Sequence, residues 1–178
     1  QACDATVQTL RDGGIDESLL QNGQIEVVCM SHSPLPPVSQ VALVVYNLGF
    51  LPQSDSKTRV LTQMDTTIES IVDALLLVRV GGMISAMTYP KTNPEEDRAV
   101  RILLECAALL SSNIQTWQGF LLEECKAGRC SDAVQQRIVD GMERLVEDGS
   151  PKQTWRVSEH HKKGMDRAPI LVTATRIK

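Results

Sequence analysis

The 178-residue sequence has few aromatic residues, no long hydrophobic run and none of the common phosphate-binding loops. Phe, Trp and Tyr make up 3% of the chain, so Leu, Val, Ile, Ala and Met must build the hydrophobic core. No apolar run approaches the ~20 residues of a membrane-spanning helix, and we expect no membrane partner. A chain of this length is one domain of ordinary size that can bury a sizeable core.

The sequence also lacks the patterns typical of metal and nucleotide sites. There is no G-x-G-x-x-G or P-loop lysine motif, and Gly13–Gly14 does not follow a predicted strand. Cys125 and Cys130 come without a second cysteine pair, and His160–His161 have no partners at ligand spacing, so we predict no metal. The five cysteines fit no disulfide pattern and indicate buried thiols in a reducing compartment.

Charge is unevenly distributed along the chain, whose net charge is −4. Seven basic residues against Glu159 and Asp166 give the segment from Lys152 to Lys178 a charge of +5, which leaves −9 for the rest. A basic terminal segment on an acidic body has two interpretations. It is either a local contact for phosphate groups or a solvated surface hairpin.

Apolar periodicity predicts alternating helices and strands. A helix over residues 1–11 is followed by a strand over Gln24–Met30, and Val41–Tyr46 is almost continuously apolar, as in a strand covered on both faces. Asp65 or Thr66 then caps an amphipathic helix that Gly81–Gly82 ends. The apolar face of that helix contains Ile68, Ile71, Val72, Leu75 and Leu76.

The second half continues the alternation. A strand over Met83–Thr88 precedes a helix that begins at Asn93–Pro94, and a further helix begins at Ser131–Asp132. Gln153–Val157 and Pro169–Ile177 are predicted terminal strands. This order is typical of an α/β fold with a parallel sheet and an antiparallel edge.

Three clusters of polar and aromatic residues follow predicted strands, where ligands of open α/β sheets bind: Ser31–His32, the run that begins at Tyr46–Asn47, and Thr88–Tyr89–Pro90. The Asn47 oxygen can accept a hydrogen bond from a substrate amine and orient its lone pair, while Gly49 permits close approach and Phe50 can stack on a base. The alternative is that Asn47–Leu48–Gly49 is only a turn that ends the strand.

The remaining candidates have equally ordinary alternatives. His32 is either a cofactor ligand or proton acceptor, or a loop histidine bonded to nearby backbone. Tyr89 either lines a pocket or packs at a strand end. Thr66 and Thr67 are either ligands or part of a helix cap.

These residues together resemble the YtqB-type rRNA methylase family. Its recurrent elements are a Ser-His after a strand, Asn-Leu-Gly-Tyr-Leu-Pro, Thr-Thr-Ile-Glu, a Gly-Gly and a Tyr-Pro. The matching segments are Ser31–His32, Asn47–Pro52, Thr66–Glu69, Gly81–Gly82 and Tyr89–Pro90. Phe50 replaces the family's tyrosine, Met30 replaces an acidic residue, and residues 117–147 look like a helical insertion within a single domain over 1–178.

The resemblance implies a Rossmann-like class I methyltransferase that uses S-adenosylmethionine. It implies methylation of the exocyclic aminomethyl group of a tRNA wobble uridine, with the anticodon region of tRNA as partner. The catalytic residue would be Asn47, and Ser31, His32, Asn47 and Leu48 would bind the cofactor. The substrate would contact Gly49, Phe50, Leu51, Pro52, Thr66, Thr67 and Tyr89.

Other expectations follow from the same resemblance. The family's first strands and glycine-rich loop would lie upstream of Gln1, so we expect the 178 residues alone to be inactive and to bind S-adenosylmethionine weakly. A cytoplasmic protein is expected, or one of an organelle such as the plastid if a transit peptide lies upstream. A homodimer is compatible with the sequence. Alternative functions are methylation of rRNA or a small molecule, and a non-catalytic scaffold.

Overall fold

The computed structural model describes residues 2–28, 30–36, 38, 40–48, 63–149, 153–164 and 168–178. Contacts divide the chain into two compact units, Gln1–Ser31 and His32–Lys178. Gly49, Phe50, Leu51 and Pro52, which are predicted to contact the substrate, lie outside the described residues.

The first unit contains two helices, α1 (Ala2–Asp12) and α2 (Glu17–Gln21). The chain turns after α1 through Gly14, whose φ of 81° favours glycine. The Asp16 carboxylate caps α2 by accepting a hydrogen bond from the Ser18 N–H. The prediction of a strand over Gln24–Met30 is wrong, because its described residues pair with no neighbouring strand and are irregular.

The second unit is built on a four-stranded sheet in the order β1-β2-β4-β3. Strand β1 (Val41–Asn47) is parallel to β2 (Val78–Thr88). The last two strands, β3 (Trp155–His160) and β4 (Ile170–Arg176), form an antiparallel hairpin, and β4 is antiparallel to β2. The predicted α/β fold with a parallel core and an antiparallel edge is therefore confirmed.

In the described part of this unit four α-helices accompany the sheet: α3 (Met64–Leu77), α4 (Pro94–Ala108), α5 (Trp117–Lys126) and α6 (Asp132–Asp148). The side chains of Asn93, Thr116 and Ser131 cap α4, α5 and α6 by accepting backbone N–H bonds. The predicted cap of α3 is wrong. Asp65 and Thr66 lie inside its first turn, and the cap position is Gln63, whose side chain makes no capping bond.

The hydrophobic core lies between one face of the sheet and the helices. Alternate residues of a strand point to opposite faces, so Tyr46, Ile84 and Val172 are buried with Leu75 of α3 and Leu103 of α4. On β1 the intervening side chains of Leu43 and Val45 are 52% and 66% exposed. The prediction that this strand is covered on both faces is therefore wrong, because α3 and α4 pack on the Tyr46 side.

The Gly81–Gly82 pair does not end helix α3 but lies within β2. The register between β1 and β2 shifts between Val41 and Leu43, and the extra β2 residues form a bulge there. Gly81 has a φ of 79°, and a Cβ on Gly82 would lie 2.8 Å from the Ala42 carbonyl oxygen and from Val78 Cγ1. Both glycines are thus required by backbone geometry at the start of the parallel pair.

We expect Gly82→Ala to lower the free energy of unfolding by ~1–3 kcal/mol, because the new methyl group meets rigid backbone atoms. Urea denaturation followed by circular dichroism measures the change. Gly119→Ala is the matched control, since a Cβ there approaches only the Thr116 side chain, at 3.2 Å, and alanine suits a helix. Equal stability of the Gly82→Ala variant and the native protein would contradict the bulge interpretation.

Candidate active site

Asn47 and Tyr89 meet at the carboxyl end of the parallel strands. Asn47 is the last residue of β1 and lies beside Met87 of β2. The Tyr89 hydroxyl donates a hydrogen bond to Asn47 Oδ1 at 2.9 Å. The Asn47 side chain is exposed, and its oxygen keeps a second lone pair for an external donor. The structure therefore brings two of the predicted site residues together and orients the amide.

Leu48 is held by a backbone hydrogen bond and by packing in the hydrophobic core. Its N–H donates to the Met87 carbonyl oxygen at 2.9 Å, and its side chain is 3% exposed within the core. This packing fixes the direction in which the chain leaves β1 beyond Asn47. Because these contacts occupy the N–H group and the side chain of Leu48, a ligand would have to contact its carbonyl oxygen. The role of Leu48 in cofactor binding stays a prediction.

A second polar cluster connects His32, Thr67, Asn93 and Glu96. The Thr67 hydroxyl donates to Glu96 Oε1 at 2.7 Å and lies 3.4 Å from His32 Nε2. Asn93 Nδ2 donates to the other Glu96 oxygen at 3.1 Å. Glu96 is 1% exposed, so its carboxyl group depends on these donors. The cluster joins the first turns of α3 and α4 and holds His32 against them.

The hydrogen bonds of Thr67 determine the tautomer of His32. The single hydroxyl hydrogen of Thr67 is directed to Glu96, so Thr67 Oγ1 can only accept from the histidine ring. His32 Nε2 must then carry a hydrogen, which leaves Nδ1 of the neutral ring as an acceptor. An imidazole held in this way is suited to accept a hydrogen bond from a hydroxyl or ammonium group of a ligand.

Thr66 and Ser31 are two further residues of the predicted site. Thr66 donates its hydroxyl to the Gln63 carbonyl oxygen at 2.9 Å, so it braces the start of α3. Ser31 is the last residue of the first unit. The ligand roles of both residues stay predictions.

Sequence reasoning missed Glu96 and Asp97 as buried polar groups. Both follow the predicted helix start at Asn93–Pro94, and they are 1% and 3% exposed. Asp97 Oδ1 accepts a 2.6 Å hydrogen bond from Thr88 at the end of β2. The Asn-x-x-Glu spacing of a capping box was a usable signal for the contact between Asn93 and Glu96. The contacts with Thr67 and Thr88 arise from tertiary packing.

Tyr46 locks β1 to α3 beneath the site. Its hydroxyl donates to the Ser70 carbonyl oxygen at 2.8 Å. Burial raises the pKa of Tyr46 to about 12, although the hydrogen bond with Ser70 opposes this shift. The phenol is therefore neutral across the physiological range and acts as a structural donor.

Arg101 connects α4 to β3 near the same end of the sheet. It makes two hydrogen bonds with Glu159, at 2.6 and 3.0 Å, and His161 Nε2 lies 3.0 Å from Glu159 Oε2. Burial would raise the pKa of Glu159, but the hydrogen bonds and charges of Arg101 and His161 outweigh it and lower that pKa. The arrangement fixes the start of the β3–β4 loop against α4.

Two thiols are enclosed by the helical layer. Cys106 of α4 and Cys130 are both buried, and desolvation by burial raises the pKa of each to about 12. Within the described ranges no three Cys, His, Asp or Glu side chains are grouped as ligands for a metal ion. Nor does any helix in the described part of the chain combine the length and apolar character needed to cross a membrane.

The family model described as "Putative rRNA methylase" matches residues 1–127, about seven-tenths of the chain. The chain belongs to this family. Its membership confirms the prediction of a methyltransferase of the rRNA methylase type. No curated protein shows a significant sequence match to the chain.

A comparison with solved structures confirms the fold class through one of them. A structure described as a putative rRNA-methylase from Clostridium thermocellum is 17% identical with a TM-score of 0.54, and the match covers 99% of this chain and 70% of that one. A putative methyltransferase from Streptococcus mutans, crystallised in complex with SAH, is 17% identical with a TM-score of 0.44. That match covers 90% of this chain and 66% of that one. The first similarity supports the Rossmann-like methyltransferase fold.

We expect Thr67→Val to lower the free energy of unfolding by ~1–3 kcal/mol, because it removes a hydrogen bond from the buried Glu96. It should also release the His32 tautomer, so that ¹⁵N NMR detects both neutral forms instead of the Nε2-protonated form alone. The adjacent Thr66→Val is the matched control and should change stability by under ~0.5 kcal/mol. An unchanged His32 spectrum in the Thr67→Val variant would refute the tautomer assignment.

The stabilising effect of Glu159 should depend on pH. Because its pKa is lowered from the usual 4.5 in the folded protein, its contribution is complete above that value and is lost as the pH falls. We expect Glu159→Gln to cost about 1 kcal/mol at neutral pH, since the pair is partly solvated, and progressively less below pH 4.5. Glu143→Gln, on an exposed part of α6, is the control. A cost that grows with acidity would contradict the charge pairing.

Proposed function

We propose that this protein transfers a methyl group from S-adenosylmethionine to an exocyclic amine of RNA. The observation that carries the proposal is the Asn47–Tyr89 pair at the carboxyl rim, the region where open α/β sheets bind ligands. Family membership supports the reaction class and RNA as the substrate class. The SAH in the Streptococcus mutans structure is consistent with this choice of methyl donor.

The chemistry of the described residues fits this cofactor. S-adenosylmethionine offers an ammonium group and ribose hydroxyls, which require hydrogen-bond acceptors. His32 Nδ1, to which no described residue donates a hydrogen bond, is such an acceptor. Because the cofactor carries no phosphate, the lack of a P-loop lysine motif in the sequence is compatible with its binding. Ser31, His32, Asn47 and Leu48 would hold it.

The protein's task in the reaction is alignment. S-adenosylmethionine supplies an electrophilic methyl group on a sulfonium. Asn47 accepts one N–H of the neutral amine and directs the nitrogen lone pair away from that bond, while Tyr89 keeps the amide from rotating. As the new N–C bond forms, the S–C bond breaks and the surplus amine proton passes to water. Alignment of this kind can supply ~7–11 kcal/mol of a barrier.

The most specific substrate that we propose is the aminomethyl group of a tRNA wobble uridine. This choice rests on the order of motifs from Ser31–His32 to Tyr89–Pro90. For this substrate, the base would contact Gly49, Phe50, Leu51 and Pro52. The substrate contacts proposed for Thr66, Thr67 and Tyr89 rest on the same resemblance. The description of the family favours rRNA as the second candidate.

Asn47→Ala in the full-length protein should lower kcat/KM for RNA methylation by roughly 100-fold, because the amine loses its orienting acceptor. Tyr89→Phe should lower it by roughly tenfold, since the amide remains but is no longer held. Mass spectrometry of nucleosides from treated tRNA and rRNA measures both variants. Asn113→Ala, in an exposed loop, is the matched control.

Native activity in the Asn47→Ala variant would overturn the assignment of Asn47. A deletion strain separates the substrates. Unchanged wobble uridines together with a methyl group missing from rRNA would exclude tRNA and support the second candidate.

A further inference from the structure

One row of residues crosses the whole sheet at the level of the candidate site. Asn47 pairs with Met87, Met87 with Leu171, and Leu171 with His160. Neighbouring strands are ~4.8 Å apart, so the end of β3 lies roughly 14 Å from Asn47 along this rim. The loop from β3 to β4 therefore emerges at the same end of the sheet as Asn47 and Tyr89.

Exposed lysines occupy this rim. Lys162 and Lys163 follow β3, and Lys91 follows Tyr89 and Pro90 after β2. Among the described residues, no carboxylate lies within ion-pair distance of these three ammonium groups. We call Lys91, Lys162 and Lys163 the rim lysines.

The structure holds the base of this loop in place. The paired Arg101 and Glu159 connect β3 to α4, and His161 contacts the same carboxylate. In the helical layer, by contrast, Arg129 and Arg144 are engaged with Glu124 and Asp73 at 2.6 and 2.7 Å. The cations at the rim remain available to an external anion at a defined distance from Asn47.

We propose that the rim lysines bind the phosphodiester backbone of the RNA whose amine lies at Asn47. The proposal rests on the proposed function. It adds the path of the RNA over the protein, from the end of β1 across β2 toward the β3–β4 loop. The segment from Lys152 to Lys178 carries +5, and the rest of the chain carries −9. Of the described basic residues in that segment, Lys162 and Lys163 lie at this rim, and repulsion by the acidic remainder of the chain favours approach of a polyanion to them.

The competing occupant of a basic loop is an anionic membrane surface. The geometry favours RNA, because the lysines share one row of the sheet with the amide of Asn47 and flank Tyr89. A membrane contact would have no reason to coincide with that end of the sheet. The test therefore includes vesicles.

The test compares the double variant Lys162→Gln/Lys163→Gln, with and without Lys91→Gln, with the control Arg79→Gln/Lys178→Gln. The control also removes two positive charges, but from the opposite end of the sheet. Fluorescence anisotropy measures binding of labelled tRNA over a range of salt concentrations. We expect the lysine double variant to reduce the slope of log K against log salt by about 2, and the control to leave it near the native value.

Methylation kinetics separate this proposal from the function on which it rests. The rim lysines do not touch the reacting atoms, so their loss should raise KM for tRNA and leave kcat unchanged. Equal salt slopes for the lysine variant and the control would overturn the phosphate contact, even with RNA methylation intact. A lysine variant that loses binding to phosphatidylserine vesicles but keeps native tRNA binding would also overturn it. Absence of RNA methylation by the full-length protein without substitutions, together with a reduced slope in the lysine variant, would overturn the proposed reaction alone.

Discussion

The parallel pairing of β1 with β2 is the constraint on which the site depends. It sets Asn47 beside Met87, and from there Tyr89 reaches the amide. Two features maintain this register: the bulge at Gly82, at the start of the parallel pair, and the hydrogen bond between Tyr46 of β1 and Ser70 of α3. A shift of one residue would turn Asn47 into the core and Tyr46 toward solvent, because strand side chains alternate. Register and chemistry are thus inseparable here.

Two buried carboxyl groups tie α4 to α3 and to the end of β2. Glu96 and Asp97 accept hydrogen bonds from Thr67 and Thr88, which belong to the helix and the strand nearest the site. Burying such groups is unfavourable unless each is matched with donors, and here the donors come from different elements. These hydrogen bonds favour the native fold, since only the native arrangement of β2, α3 and α4 provides donors for both carboxyl groups.

The sequence predicted the main elements of the second unit because hydrophobic periodicity and caps such as Asn93 and Ser131 are local signals. It also brought Asn47 and Tyr89 to one edge, because the carboxyl ends of parallel strands meet there. It failed where neighbours decide the outcome. Gln24–Met30 lacks a pairing strand, and the extra residues at Gly81–Gly82 were accommodated in β2. The buried state of Glu96 depends on Thr67, 29 residues away, and no local pattern encodes that distance.

The burial of Cys106 and Cys130 has a consequence for a protein that handles an electrophile. A methyl donor can alkylate any accessible thiolate, and thiolates are far stronger nucleophiles than amides or hydroxyls. Cys106 and Cys130 are enclosed, and their pKa values of about 12 keep them protonated at neutral pH. The same burial that supplies packing beneath α5 therefore protects these two thiols from methylation.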